Sequence, residues 1–164
     1  MPVKAKVFLV MTLATTLLKL IGGQSMAAGR QTAEEMQSSA MMGAVMEGSA
    51  DDVRALAEKN VGINDVYSGQ RTTPLIVAAT TDQWPSAEVL IDHGADIWAH
   101  DRFGVTAAQM TVNSRILPGT SEDQARLRVI EKMKAQGYPF PPPDSDTVLQ
   151  LEKEGKWPPS SARK

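Results

Sequence analysis

The sequence predicts an all-α fold in which pairs of short helices repeat along the chain. Aromatic residues make up only 5% of the 164 residues, whereas alanine and leucine are frequent, and this composition favours helices over a β-sandwich or barrel. Apolar residues at the i, i+3, i+4 spacing of a packed helix recur at a constant offset along the chain. The two copies of this pattern are Val53, Leu56 and Ala57, then Ala87, Leu90 and Ile91.

The segment 1–27 is predicted to form a secretory signal peptide. Lys4 and Lys6 precede an apolar run over 7–18, and the small residues Ser25 and Ala27 suit a cleavage site directly after them. The run is too short to span a bilayer, which needs about 20 residues. The alternative is an uncleaved helix that stays as a weak membrane anchor. We therefore expect export to the periplasm through a cleaved leader.

Charge and cysteine content restrict the possible functions. Loss of Lys4, Lys6 and Lys19 with the leader leaves 14 basic and 19 acidic side chains, a net charge of −5. A mildly acidic domain is a poor candidate for binding nucleic acid, and no membrane-inserted helix is expected. The absence of cysteine excludes disulfides, thiolate metal sites and cysteine nucleophiles.

The first helix pair is predicted between about 44 and 65. Its first helix ends at Gly48, and its second begins after Ser49, with Asp51 and Asp52 in the first turn, where negative charge suits the helix dipole. Methionines crowd the first helix and are expected in the core, although an adaptable methionine surface for a partner is the alternative. These methionines are Met36, Met41, Met42 and Met46.

The second helix pair begins at a turn with its own capping signal. The hydroxyl of Thr73 can accept a hydrogen bond from a free amide, and Pro74 suits the first helical position because it has no amide to donate. Thr106 repeats the capping hydroxyl in the next unit, where the third pair begins. Gly94 follows the second helix, at the place where a left-handed cap is expected.

The third pair carries an insertion that contains residues 113–120, within which Pro118 should end a helix. The next helix is expected to begin near Ser121 and to stop before Gly137. Its predicted apolar positions are Leu127, Ile130 and Met133.

A last helix follows a spacer rich in proline. The prolines within 139–143 predict an extended segment, since proline cannot continue a helix. The helix expected at about 145–154 has Val148 and Leu151 on one face and is interpreted as a cap on the last repeat. The tail over 157–164 is expected to be loose.

Together these motifs resemble the ankyrin repeat family. The resemblance covers about 33–137 and is most specific over 71–106. The residues that carry it are Thr73-Pro74-Leu75, Ala78-Ala79, Leu90-Ile91, Gly94-Ala95-Asp96-Ile97 and Asp101-Arg102-Phe103-Gly104-Val105-Thr106. It implies a solenoid of about three helix-turn-helix units with short finger loops, plus a C-terminal capping helix. Ile76 and Gln109 stand where the family has histidine, so a hydrogen-bonded tie is expected to be lost and replaced by packing.

The domain organisation follows from the same motifs. We expect a signal peptide at 1–27, an ankyrin repeat domain at 28–137, and a spacer with the capping helix and tail at 138–164.

In the ankyrin family, partners are met by the finger loops and by the first helices, which line a concave face. Mapped by motif, the partner-binding residues are Tyr67, Gln70 and Arg71, with Ser68, in the first finger, and Trp98, His100, Arg102 and Phe103 in the second. Aromatic and arginine side chains at such tips are frequent interface anchors. Packing of Trp98 and Phe103 against neighbouring fingers is an equal alternative, and Trp84 is a weaker candidate on the opposite edge.

No catalytic, cofactor or metal site is expected. His93 and His100 belong to no metal-binding pattern, and no glycine-rich phosphate loop or G-x-S-x-G serine is present. The acidic pairs at 34–35 and 51–52 lie where helix N-termini favour negative charge.

The sequence is therefore interpreted as a periplasmic protein-binding module that is monomeric when free. Small exported ankyrin proteins of this type resemble immunity proteins, which block a secreted effector toxin, such as a type VI secretion phospholipase, by covering its active site. Two alternatives remain open: an ankyrin partner of a periplasmic catalase or other stress enzyme, and a scaffold for envelope proteins.

Overall fold

The computed structural model describes residues 40–67 and 69–162, which lie in one unit spanning 38–164. Within these ranges the secondary structure is helical, apart from two isolated antiparallel bridges, so the predicted all-α class is confirmed. The helices are α1 over 40–47, α2 Ala50–Ala57, α3 Pro74–Thr80, α4 Trp84–Asp92, α5 Ala107–Asn113, α6 Ser121–Ala135 and α7 Ser145–Lys153, followed by a 3-10 turn at Ser160–Ala162. The predicted signal peptide, the acidic pair at 34–35, Met36 and Ser68 lie outside the described residues.

The helices form pairs that stack into a solenoid. The second helices make one row, in which α4 packs between α2 and α6, and the first helices make another, in which α3 packs against α5. Side chains between the rows are fully buried, among them Val53, Leu90 and Met133. The predicted solenoid of three helix pairs is confirmed.

Threonine side chains begin the helices where the sequence predicts. Thr73 Oγ1 accepts the amide of Ile76 at 3.4 Å, and Thr106 Oγ1 accepts the amide of Gln109 at 3.3 Å. Each bond satisfies an amide that has no partner within its helix. Thr120 caps α6 in the same way, which fixes the restart of the helix after the inserted loop.

The apolar face predicted for α6 is wrong in part. The buried positions are Ala125, Val129 and Met133, one every four residues, whereas Leu127 is 48% exposed. Two charged contacts with α4 accompany this orientation. Arg128 makes a two-pronged ion pair with Glu88, and Lys132 pairs with Asp92. Burial of Val129 and Met133 favours this orientation, and the ion pairs of Arg128 and Lys132 add contacts with α4 beside the buried face.

The methionine prediction holds for Met41, which is fully buried, but not for Met46, which is 71% exposed. The buried residues of α1 are Met41, Ala44 and Val45, at the i, i+3, i+4 spacing of one face, and Met46 lies outside that stripe. Met42 is half-buried.

The inserted loop over 114–120 is tied to the turn before α4. The carboxylate of Asp82 accepts hydrogen bonds from Ser114 Oγ at 2.7 Å and from the indole nitrogen of Trp84 at 3.1 Å. Trp84 is fully buried, so this weaker candidate for a partner contact belongs to the core. The loop therefore extends the scaffold at its edge.

The described part of the C-terminal tail, 157–162, is anchored by Trp157, contrary to the expectation that the tail is loose. Trp157 is only 8% exposed, and its indole nitrogen donates a 2.9 Å hydrogen bond to the carbonyl of Trp98. The side chain fills the space beside Trp98 and Tyr138, with ring centroids 5.4 Å and 5.9 Å away. Burial of a large aromatic ring outweighs the entropy of ordering a short tail.

Candidate protein-binding surface

Two finger loops project from the solenoid next to each other. Finger 1 spans 64–72 and closes through a bridge between Tyr67 and Thr72, and finger 2 spans 97–106 and closes between His100 and Thr106. The amide of Arg102 donates a 2.9 Å hydrogen bond to the carbonyl of Gln70 and so joins the two loops. The fingers are therefore held together by their own backbone.

The bases of the fingers are also tied. Asn64 Oδ1 accepts the amide of Asp96 at 2.7 Å, and its amide nitrogen donates to the carbonyl of Gly94 at 3.0 Å. Within finger 2 the carboxylate of Asp101 accepts the amides of Phe103 and Val105. These bonds order the bases of both fingers and the turn of finger 2 before any partner arrives, which reduces the entropy lost on binding.

Aromatic side chains lie exposed on both fingers. Tyr67 is 64% exposed and Phe103 53%, and Val66 beside Tyr67 is also exposed. The guanidinium of Arg102 lies 4.5 Å from the centroid of the Phe103 ring, a cation–π contact. The two roles considered for Phe103 were contact with a partner and packing against a neighbouring finger. The structure leaves its ring exposed, so it is available for contact.

Two predicted contact residues lie beneath the C-terminal segment instead. Trp98 is half-buried and stacks on Tyr138, with ring centroids 4.6 Å apart. His100 is 7% exposed, and its Nδ1 lies 2.7 Å from the carbonyl oxygen of Asp101. Trp98 therefore packs against the C-terminal segment, whereas the packing alternative placed it against a neighbouring finger. The sequence could not show this, because Tyr138 lies beyond the whole third helix pair in the chain.

Helix α7 lies against finger 2, and a glycine makes the contact possible. Gly104 adopts a left-handed φ of +80°, and a Cβ atom there would lie 2.3 Å from the carbonyl oxygen of Ser145 and 2.9 Å from Leu149 Cγ. Only a residue without a side chain permits this approach. The predicted capping helix thus covers the last finger of the array.

Gln109 corrects the expectation that a hydrogen-bonded tie is lost. Its side chain accepts the amide of Thr106 and donates to the carbonyl of Gly104 at 3.2 Å. It also donates to the carbonyl of Pro143 at 2.9 Å and accepts the hydroxyl of Ser145. The amide group therefore connects α5, finger 2 and the start of α7, and a glutamine can do so because it both donates and accepts.

Tyr138 supports the same junction without offering acid–base chemistry. Its hydroxyl donates to Thr106 Oγ1 at 3.2 Å. Burial raises the pKa of Tyr138 to about 12, although this hydrogen bond lowers it in part. The phenol stays neutral at physiological pH and serves as a packing group with one polar contact.

A cluster of charges joins α7 to both fingers. Oε1 of Glu152 lies 3.0 Å from Arg71 Nη2 on finger 1 and 3.2 Å from His100 Nε2 on finger 2. The hydrogen bond from Arg71, together with the charges of His100 and Arg71, lowers the pKa of Glu152 despite some loss of solvation. Arg71, a predicted binding residue, is therefore engaged in an ion pair within the chain.

This pKa shift predicts a loss of stability in acid. The carboxyl of Glu152 has a lower pKa in the folded chain than its ordinary 4.5, so its contribution is complete above 4.5 and disappears as the pH falls through the folded value. The pair is partly exposed, so we expect no more than about 1 kcal/mol. Urea unfolding of the wild type and Glu152→Gln should show a difference that shrinks between pH 7 and pH 3. A constant difference would contradict the assignment.

Neither a metal-binding cluster nor a membrane-spanning helix is found in the part of the chain that the structure describes. It contains no cluster of three or more histidine, cysteine or acidic side chains that could hold a metal ion. None of its helices combines the length and the apolar character needed to cross a membrane. A groove between the α3–α4 turn and the end of α5 is lined by Thr80, Met110 and Arg115, and the nearby Asp82 carboxylate is already hydrogen-bonded.

Comparison with known proteins points to the same architecture. A family model described as ankyrin repeats (3 copies) matches residues 12–101, more than half of the chain. The match includes finger 1 and the first part of finger 2, and it begins inside the segment predicted as a signal peptide. A search of curated proteins gives no match to the chain.

Proposed function

Because the chain belongs to the ankyrin repeat family, we propose that it is an exported protein-binding module that inhibits a secreted effector toxin by covering its active site. Ankyrin repeats generally mediate protein–protein interaction and are typically non-enzymatic. The finer proposal adds three elements: export to the periplasm, a toxin such as a phospholipase as the partner, and steric occlusion as the mechanism.

One observation carries the proposal. The two fingers are joined by the bond between Arg102 and Gln70, and they present the exposed rings of Tyr67 and Phe103 at their surface. Tyrosine and arginine are enriched among the residues that dominate interface energies, and exposed aromatic rings supply large apolar contact areas. A protruding, pre-ordered pair of loops suits insertion into the concave entrance of an enzyme.

Charge supports a particular kind of partner. After removal of the predicted leader the chain has a net charge of −5. Such a domain is attracted over long range to a basic protein surface, which raises the association rate. Inhibition then needs no chemical step, since occupation of the entrance excludes the substrate.

The test is inhibition of secreted enzymes encoded beside this chain by the purified residues 28–164. Tyr67→Ala and Phe103→Ala are each expected to weaken binding at least about tenfold, as loss of an aromatic anchor does. Leu117→Ala is the matched control, because Leu117 is 74% exposed on the inserted loop, outside the fingers. It should leave the affinity unchanged, and all three variants should unfold within about 0.5 kcal/mol of the wild type.

Two outcomes would overturn the proposal. Enzyme activity that persists at a stoichiometric excess of the chain would exclude inhibition. Stable binding to a catalase or another stress enzyme, with no effect of the chain on survival against toxin-producing sister cells, would favour the alternative stated from the sequence.

A further inference from the structure

We propose that Arg71 and His100 form a carboxylate-binding site, which Glu152 fills in the free chain and which an acidic side chain of the protein partner fills in the complex. The inference rests on the proposed function, since it names one acidic side chain that an otherwise basic partner surface presents to the fingers. It adds a competition between the chain's own C-terminal helix and that partner.

The geometry of the site is that of a receptor for one carboxylate oxygen. Arg71 reaches it from finger 1 and His100 from finger 2, at 3.0 Å and 3.2 Å from Glu152 Oε1. The side chain of His100 is only 5% exposed, and its Nδ1 faces the carbonyl of Asp101 at 2.7 Å, which fixes the ring with Nε2 toward the carboxylate.

The backbone conformation at Arg71 indicates that its side chain has a role beyond the folding of finger 1. Arg71 has a left-handed φ of +56°, and the equivalent position of finger 2 is Gly104 at +80°. Glycine adopts this conformation freely, whereas arginine is strained in it. Such strain persists where the surroundings enforce it and is concentrated at binding sites. Finger 1 thus carries a guanidinium where glycine would fold more easily.

Glu152 is placed so that another carboxylate can replace it. Its side chain is 37% exposed, so a partner can reach the ion pair from solvent. Val148 is the one fully buried residue of α7, while Asp146, Gln150 and Lys153 are exposed. Exchange of one carboxylate for another keeps an acceptor in contact with both Arg71 and His100 and therefore avoids the cost of leaving a buried polar group without a partner.

The segment around α7 is built to stay attached during this exchange. Tyr138 precedes α7 and Trp157 follows it, and both are buried against Trp98. These aromatic contacts hold the two ends of the segment when the contact of Glu152 opens. The competition is therefore intramolecular, and Glu152 reduces the apparent affinity for an external carboxylate by the fraction of time it occupies the site.

The first experiment empties the site in the full chain with Glu152→Ala and uses acetate as the probe. NMR signals of the His100 imidazole and the Arg71 guanidinium should shift saturably, with a Kd on the order of 10 mM. The wild type and the Glu154→Ala variant should show no such shift. Glu154 is the matched control because it lies at the end of the same helix and pairs only with its neighbours Lys156 and Gln150. Sodium chloride at equal ionic strength controls for screening.

The double variant Arg71→Ala/Glu152→Ala should lose the acetate response. The absence of a saturable shift in Glu152→Ala, or an equal shift in the double variant, would overturn the site. The NMR signal of the Trp157 indole N–H, which is hydrogen-bonded to the carbonyl of Trp98, reports whether each variant keeps the packed tail, so a folding defect is recognised separately.

The second experiment tests the competition with an acetylated hexaglutamate peptide. The peptide should bind Glu152→Ala at least about tenfold more tightly than the wild type, because the internal carboxylate is gone. Equal affinities would overturn the competition. Neither experiment uses the toxin, so failure to inhibit any enzyme would remove the proposed function and leave the acetate result intact, while loss of the acetate response would leave inhibition through Tyr67 and Phe103 standing.

Discussion

Replacement of Gly104 by alanine is expected to lower the free energy of unfolding by about 2–5 kcal/mol, the sum of a left-handed backbone and an overpacked contact. The added methyl group would lie 2.3 Å from the carbonyl oxygen of Ser145 and 2.9 Å from Leu149 Cγ. A leucine side chain can rotate away, but a backbone oxygen cannot. Relief of the contact therefore requires α7 to move off finger 2, which exposes Val148.

Gly119→Ala is the matched control for this prediction. Gly119 has a left-handed φ of +85°, close to that of Gly104, but no heavy atom lies within 4 Å of its added Cβ. Its alanine variant should lose only the backbone contribution, about 1–2 kcal/mol. Urea unfolding of both variants isolates the contact with α7. Equal losses would mean that α7 does not press against finger 2.

Much of the fold could be predicted because its signals are local. The capping threonines Thr73 and Thr106 act on amides within the first turn of their own helices, and the constant offset between Leu56 and Leu90 reflects the stacking of equivalent helices. Both signals lie within one repeat or between adjacent repeats. The start of α6 near Ser121 was predictable for the same reason, since a threonine cap and two acidic residues mark it.

What the sequence could not show depends on contacts between distant segments. Trp157 packs on Trp98, far earlier in the chain, and nothing near Trp157 indicates that partner. The inward face of α6 was missed because it depends on packing against α4 of the preceding repeat, where Val129 and Met133 are buried while Leu127 faces outward. Apolar character alone does not determine which side of a helix meets its neighbour.

The candidate site was likewise predictable only where its signals are local. Motif position placed the partner-binding candidates on two adjacent loops, and Tyr67 and Phe103 lie exposed there. Motif position could not reveal that α7 returns to cover His100 and to pair with Arg71. Part of this contact had a signal in the sequence. Arg71 stands where finger 2 has Gly104, and a charged residue is uncommon at a position with a left-handed backbone.

Trp157→Ala is the second variant for which we expect a large loss of stability, about 3–5 kcal/mol, as for removal of a buried large aromatic ring. The ring is 8% exposed and touches Trp98 and Tyr138 edge-on, and its nitrogen bonds the carbonyl of Trp98 at 2.9 Å. Trp157→Phe keeps an aromatic ring but loses that hydrogen bond, so it should cost only about 1–2 kcal/mol. Thermal and urea unfolding measure both.

The same variant connects stability to the binding site. Trp157 follows α7 in the chain, so its loss releases the C-terminal end of α7, which carries Glu152, and Glu152 should leave Arg71 and His100 more often. Under conditions where both proteins are folded, hexaglutamate should therefore bind Trp157→Ala more tightly than the wild type, and Trp157→Phe should lie between them. A stability change below about 0.5 kcal/mol for Trp157→Ala, within the range of ordinary surface substitutions, would instead restore the loose tail that the sequence predicts. Unchanged peptide affinity in a clearly destabilised variant would mean that the contacts at Gly104 hold α7 in place without the tail.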